Sequence, residues 1–236
     1  MIDAEKLSKI VTLDKGNHDP ASGQMCAMEA AAWIAGEEWS DHPQCVSPVI
    51  AAFLRLWNDA LPDATRTTLL RPLLPLVIWT RTTDADEETR AWMAVDWLVR
   101  VNAPVWFDLT PALASHAFAL RSLPPVTAGT ASAVCSVALS ARTAAWDATL
   151  AAALDATRDA TRDAAWDAAL AAALDAAGVA AWDAAWDAAL VATLDATRDA
   201  AGDGLAPTVA ALQASAVQLV RQMCAVGRDT IPEMTP

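Results

Sequence analysis

The chain has no tyrosine, and its three lysines all lie within the first fifteen residues. Glutamate is missing between Glu88 and Glu233. Sixteen basic residues face 29 acidic ones, a net charge of −13. That balance argues against direct binding to DNA, RNA or an anionic membrane. Cysteine is scarce, four in 236 residues with no paired spacing. This excludes a disulfide scaffold and predicts a reducing cytoplasm. Long apolar runs are lacking as well. The longest, Thr68 to Trp79, is interrupted by Arg71, Pro72 and Pro75 and cannot span a bilayer. The first residues lack the charged-then-apolar order of a secretion signal, so none is expected. No alternating apolar pattern is long enough to make a strand, and the expected fold class is all-α.

What the chain does have is a repeat. Between Ala144 and Gly204 nearly every fourth residue is Asp, eleven in all, at 147, 155, 159, 163, 167, 175, 183, 187, 195, 199 and 203. Most of the other residues are Ala and Thr. A longer period of twenty residues overlies the short one: Trp146, Trp166 and Trp186 each lead a Leu four and eight positions on. Such periodicity means one unit stacked several times. In a straight α-helix a four-residue step overshoots one turn by about 40°, so over twenty residues the Trp/Leu stripe reaches the opposite side. One long helix cannot bury it on one core. Breaks are therefore expected at Asp155–Asp163, at Gly178 and at Gly202–Gly204, giving short helices over 144–156, 163–177 and 180–197 in a bundle or α-solenoid. A β-solenoid is disfavoured, because Ala and Asp are both depleted in strands. Eleven Asp against three Arg give the stretch a net charge of −8. Two readings follow. The array is a solvated face that keeps an alanine-rich module soluble, or it mimics a phosphate backbone and occupies a nucleic-acid-binding protein. In the second reading Asp155, Asp159, Asp163 and Asp167 are the partner-binding residues.

The rest of the chain reads as short amphipathic helices. One lies within 1–13, followed by a loop at 16–23 and a helix over 25–35 that Gly36 ends. A second loop at 39–48 leads to a helix that Pro48 opens, with Ile50, Phe53, Leu54 and Trp57 on one face. Asp63 is expected to cap the next segment, and Pro72 and Pro75 to kink or end it. A helix over 84–101 is expected to stop at Pro104, and another spans 111–120. Ser122–Thr130 reads as the linker between an N-terminal module, 1–122, and a repeat module, 131–227, closed by a helix that Pro207 starts. Trp33, Trp57, Trp92 and Trp97 fall on helical faces and read as core.

One cluster carries chemistry. His18, Cys26, His42 and Cys45 lie in or beside the first two loops. Two His and two Cys suit tetrahedral zinc, although His18 and Cys26 are more widely spaced than a zinc loop prefers. Alternatively, Cys26 beside a helix N-terminus is a nucleophile, with His42 or His18 as base and Asp41 or Asn58 orienting it. The third reading is structural: the thiols pack as small apolar groups, and the polar side chains, Glu29 among them, cap helices and join the loops. The structural reading leaves the chain with no cofactor and no catalytic residue.

At these residues the chain resembles a family from actinobacteria and their phages. Its pattern runs G-x-H, G-x-x-C-x-M-E-A, A-G-E-x-W-S-D-H-P-x-C and R-x-x-N-D. Here those positions include His18, Cys26, Glu29, Glu37, Ser40, Asp41, His42, Cys45, Arg55, Asn58 and Asp59. The family has no established activity, so the resemblance implies an origin and no mechanism. The repeat separately resembles the alanine-rich four-residue repeats of predicted immunity proteins in bacterial toxin systems. That implies a helical protein that binds and neutralises a protein partner. The expectation is a cytoplasmic, non-enzymatic acidic interaction protein whose partner is a toxin or a nucleic-acid-binding protein, with self-association left open.

Overall fold

The computed structural model describes the backbone of residues 3–155 and 205–228, and the side chains of residues 3–145 and 205–228. The described residues are helical and contain no strand, so the protein is all-α. In chain order the helices are α1 (Ala4–Lys9), α2 (Ala27–Ala35), α3 (Pro48–Ala60), α4 (Asp63–Leu70), α5 (Leu74–Val77), α6 (Asp84–Trp97), α7 (Ala103–Phe107), α8 (Ala114–Arg121), α9 (Ala131–Asp155) and α10 (Ala206–Ala225). They divide into two compact units, residues 1–90 with 213–236, and residues 91–212. The expected linker, Ser122–Thr130, lies inside the second unit, and the division falls within α6 and α10 instead.

In the first unit local signals set the helix ends. Gly36 closes α2 at φ 78°, a left-handed conformation that costs glycine little. Pro48 occupies the first turn of α3, where its missing N–H breaks no bond, and the Ser47 hydroxyl accepts the Ile50 N–H. Ile50, Phe53, Leu54 and Trp57 form the apolar face of α3 and are buried. Phe53 and Trp57 meet edge-on, with ring centroids 5.7 Å apart. Met28 and Ile34 of α2, with Leu73 and Leu74, extend this core. Asp63 is not the cap of α4. It sits one residue inside the helix, where its carboxylate accepts from Arg66 Nη1 at 2.7 Å. The buried Arg66 turns its other donors on the carbonyls of Asn58 and Leu61, each at 2.7 Å, and so closes the end of α3.

The second unit packs Val95, Val99, Ala103, Phe107, Ala117, Leu120, Val126, Val134, Ala138 and Ala141 into one cluster. Pro104 does not stop the helix. A π-turn over Leu98–Asn102 carries the chain through, with Ala103 N–H bonded to Leu98 O, and Pro104 falls in the first turn of α7. A proline ring strikes the carbonyl four residues back, and the five-residue turn relieves that clash. Asp96 accepts from Val126 N at 2.8 Å and from Arg100 Nη1 at 3.0 Å, which fixes the 122–130 loop against this unit. The first expected repeat helix is the end of a longer one, since α9 starts at Ala131. Val134, Ala138 and Ala141 place its small residues on the cluster. The expected helices over 163–177 and 180–197 lie outside the described residues. Trp57 and Trp97 are buried, whereas Trp33 and Trp92 are only half-buried.

Candidate functional site

The motif residues of the first unit converge on Glu29. Cys26 takes the N-cap position of α2, and its Sγ accepts the Glu29 N–H at 3.5 Å. Glu29 Oε2 accepts the Cys26 N–H at 2.7 Å, so the two residues form a capping box with a thiol in the usual place of a hydroxyl. The same carboxylate reaches across to the first loop. Its Oε1 accepts the His18 N–H at 2.6 Å, and its Oε2 lies 2.9 Å from His18 Nδ1. Since both oxygens accept, the His18 Nδ1–H donates. Glu29 is thus a fully buried carboxylate with three donors around it.

A second set of bonds fixes the loops that carry His18. Trp39 Nε1 donates to His18 O at 2.8 Å. Asn58 Nδ2 donates to Asp14 O at 2.8 Å and to Asp59 Oδ1 at 2.9 Å, while its Oδ1 accepts from Ala27 N at 3.2 Å. Asp59 Oδ1 also accepts the Gly16 N–H at 2.8 Å. His18, Cys26, Glu29, Asn58 and Asp59, spread over more than forty residues of sequence, thus make two sets of bonds that adjoin at the start of α2. They tie the first loop, the start of α2, the second loop and the end of α3 together.

His42 stands apart from this network. Its Nδ1 lies 2.6 Å from Asp41 Oδ1 on an exposed loop, and Arg55 Nη1 donates to Asp41 O at 3.2 Å. Ser40 Oγ accepts the His42 N–H at 3.0 Å. Cys45 is buried beside Glu37, whose Oε2 accepts from Gln44 N at 2.7 Å. The structure therefore brings His18 to Glu29 and Cys26 to Glu29, pairs His42 with Asp41, and sets Cys45 by Glu37. Among the described residues no three His, Cys, Asp or Glu side chains form a group that could hold a metal ion. No hydrogen bond joins His42 to Cys26, and the hub of the site is Glu29, expected only as one member of the polar group that joins the loops. The Cys26-x-x-Glu29 spacing is the signal that identifies it. Of the expected partner-binding residues, Asp155 is the last residue of α9, and Asp159, Asp163 and Asp167 lie outside the described residues.

The electrostatics of the thiols follow from this packing. Burial pushes the Cys26 thiol up to about 12, and the adjacent Glu29 carboxylate adds to the effect against the Glu29 N–H. Burial and the Glu37 carboxylate push Cys45 up to about 11. Burial raises Cys224 to about 12. A thiol in this state holds almost no thiolate at neutral pH, and the thiolate is the nucleophile. Iodoacetamide at pH 7 is expected to label the half-buried Cys135 first. Cys26, Cys45 and Cys224 should react at less than about one hundredth of the rate of free cysteine. Peptide mapping by mass spectrometry reads the order, and early labelling of Cys26 would contradict it.

No protein-family model matches the chain, and no curated protein or solved structure matches it either. Among the described residues no helix is long and apolar enough to cross a membrane.

Proposed function

We propose that the protein is a non-enzymatic acidic interaction protein, an accessory protein of actinobacterial or phage origin that binds and neutralises a protein partner. The partner is a toxin or a nucleic-acid-binding protein, met by the Asp-rich face that includes Asp155, Asp159, Asp163 and Asp167. One observation carries this reading: eleven Asp against three Arg between 144 and 204 concentrate a charge of −8 in a chain of −13. Such a field favours and speeds the approach of basic surfaces and is weakened by salt. The first unit supports it indirectly. His18 and Cys26 bond to Glu29, and Asn58 and Asp59 bond to each other and to the backbone of the first loop and α2, which suits a scaffold.

The test is capture of a partner at low salt, its release at high salt, and its dependence on the acidic face. Changing Asp155, Asp159, Asp163 and Asp167 together to Asn is expected to weaken capture at least about tenfold, as expected for loss of several steering charges. Undiminished capture by that variant would remove the acidic face from the account. A second reading has the carboxylate-anchored imidazoles of His18 and His42 in its favour, since metal-binding and catalytic His residues are oriented in this way. It makes the N-terminal module a zinc site or a cysteine-nucleophile enzyme. Stoichiometric zinc in untagged protein would promote the metal form, and rapid Cys26 alkylation the enzyme form.

A further inference from the structure

His42 is the exposed histidine of the first unit. Its side chain keeps 65% of its surface in solvent, against 10% for His18. The loop beneath the ring is nonetheless fixed. Pro43 is buried, and a proline restricts the backbone of the residue before it. Ser40 Oγ accepts the His42 N–H at 3.0 Å, and Gln44 Nε2 donates to His42 O at 3.2 Å. Glu37 Oε2 accepts the Gln44 N–H at 2.7 Å. An imidazole is thus presented to solvent on a braced loop.

The Asp41 carboxylate decides which nitrogen is presented. Asp41 Oδ1 lies 2.6 Å from His42 Nδ1, and a carboxylate only accepts, so Nδ1 carries the proton. In the neutral ring Nε2 then keeps its lone pair. Two guanidinium groups are tied to the same loop. Arg55 Nη1 donates to Asp41 O at 3.2 Å, and Arg81 Nη1 to Gln44 Oε1 at 2.7 Å. Neither arginine spends its Nε or Nη2 on another described residue, and neither has those donors sealed in the interior. An imidazole backed by a carboxylate is a nucleophile, and guanidinium forks suit phosphoryl oxygens. The same two arginines would repel a metal cation at this ring.

We propose that His42 is a phosphoryl-acceptor site, taking a phosphoryl group on Nε2 from an N-phosphoryl donor, with Arg55 and Arg81 meeting the phosphoryl oxygens. The Nε2 lone pair forms the new N–P bond as the N–P bond of the donor breaks. The donor nitrogen, cationic before transfer, leaves as a neutral amine with the bonding pair. The His42 ring keeps its Nδ1 proton and takes up the positive charge, which the Asp41 carboxylate offsets. Asp41 is a positioning residue: it fixes the tautomer and holds the charge. This site goes beyond the acidic-partner reading and does not depend on it, since every residue involved lies in the first unit.

The experiment treats the full chain with potassium phosphoramidate at about pH 8, where an ordinary imidazole is neutral. Mass spectrometry locates the label, and phosphorus NMR tells the Nε2 isomer from the Nδ1 isomer. His42 is expected to carry the group on Nε2 and to react at least about tenfold faster than N-acetylhistidine in the same solution. His18, which has the same bond to a carboxylate but is covered, should stay unlabelled. Asp41→Asn should slow labelling about tenfold and admit the Nδ1 isomer, an effect that a loop brace alone would not produce. Arg81→Ala should slow it about threefold. Thermal unfolding of each variant checks that the fold is kept. Should Asp41→Asn not fold, the comparison with N-acetylhistidine, the isomer formed by the parent and Arg81→Ala decide. The proposal falls if His42 reacts no faster than N-acetylhistidine, if the parent yields the Nδ1 isomer, or if either variant keeps the parent rate.

Discussion

Arg90→Ala is expected to lower the stability of the first unit by about 3–5 kcal/mol, the range for removing one partner of a buried ion pair. Arg90 is fully buried and uses every donor group of its fork. Nη1 reaches Glu87 Oε1 at 2.6 Å and Thr82 Oγ1 at 3.1 Å. Nε and Nη2 donate to the carbonyls of Met223 at 3.1 Å and Val226 at 2.8 Å, at the end of α10. Truncation strands those carbonyls and leaves the Glu87 carboxylate without its cation. Glu87 in turn holds the Ser47 hydroxyl that caps α3, so the damage spreads to the start of that helix. Arg90→Lys should not rescue, because an ammonium cannot point three ways along a planar fork. In urea titrations the midpoint should fall at an unchanged slope. Adding Glu87→Gln should cost about 1–3 kcal/mol less than the sum of the two single changes, because the stranded charge is gone. A loss below about 1 kcal/mol for Arg90→Ala would show that the pair is not what holds α10 in place.

Glu29→Gln should be nearly as damaging as Glu29→Ala, with a loss of about 2–4 kcal/mol for each. The reason is donor arithmetic. Oε1 faces the His18 N–H, and Oε2 faces both the Cys26 N–H and the His18 Nδ1. Whichever way the amide of Gln is turned, its NH₂ meets another donor. Glu29→Asp keeps the charge and loses the reach, so it should fall between the parent and Gln. For a chain of this size about 1 kcal/mol corresponds to roughly 2–4 °C in the unfolding midpoint. The transition of the first unit is the one to follow by calorimetry. A Glu29→Gln protein as stable as the parent would mean that the His18 loop is not tied down through this carboxylate.

These two residues also mark where the sequence stopped being legible. The limits of α2, α3 and α10 were readable because Gly36, Pro48 and Pro207 act within one turn of themselves. The apolar face of α3 was readable for the same reason, since helical spacing is a local property. Pro104 misled because the sequence does not show the π-turn that accommodates it. Cys26 was readable as lying beside a helix start, but its role as a cap was hidden by its residue type. The bonds from Glu29 to His18 and from Asn58 to Asp14 and Ala27 join separate segments, and no periodicity encodes them. The motif pattern did select these residues without saying that they meet. The Asp-rich stretch was legible as charge alone. Its pairing of period four with period twenty predicts helix breaks that fall outside the described residues.

The division of the first unit between the two ends of the chain has a consequence for synthesis. Arg90 and the Met223 carbonyl it binds are 133 residues apart in sequence. A ribosome adding about 5–20 residues per second needs roughly 7–27 s to cover that distance. During that interval Glu87 and Arg90 have each other but not the C-terminal carbonyls, and the Leu76 and Ile78 carbonyls lack the Arg228 guanidinium. The second unit is complete in sequence before the first. The N-terminal motif network, which needs nothing beyond Asp59, can close early and hold its helices together while the repeat is being made.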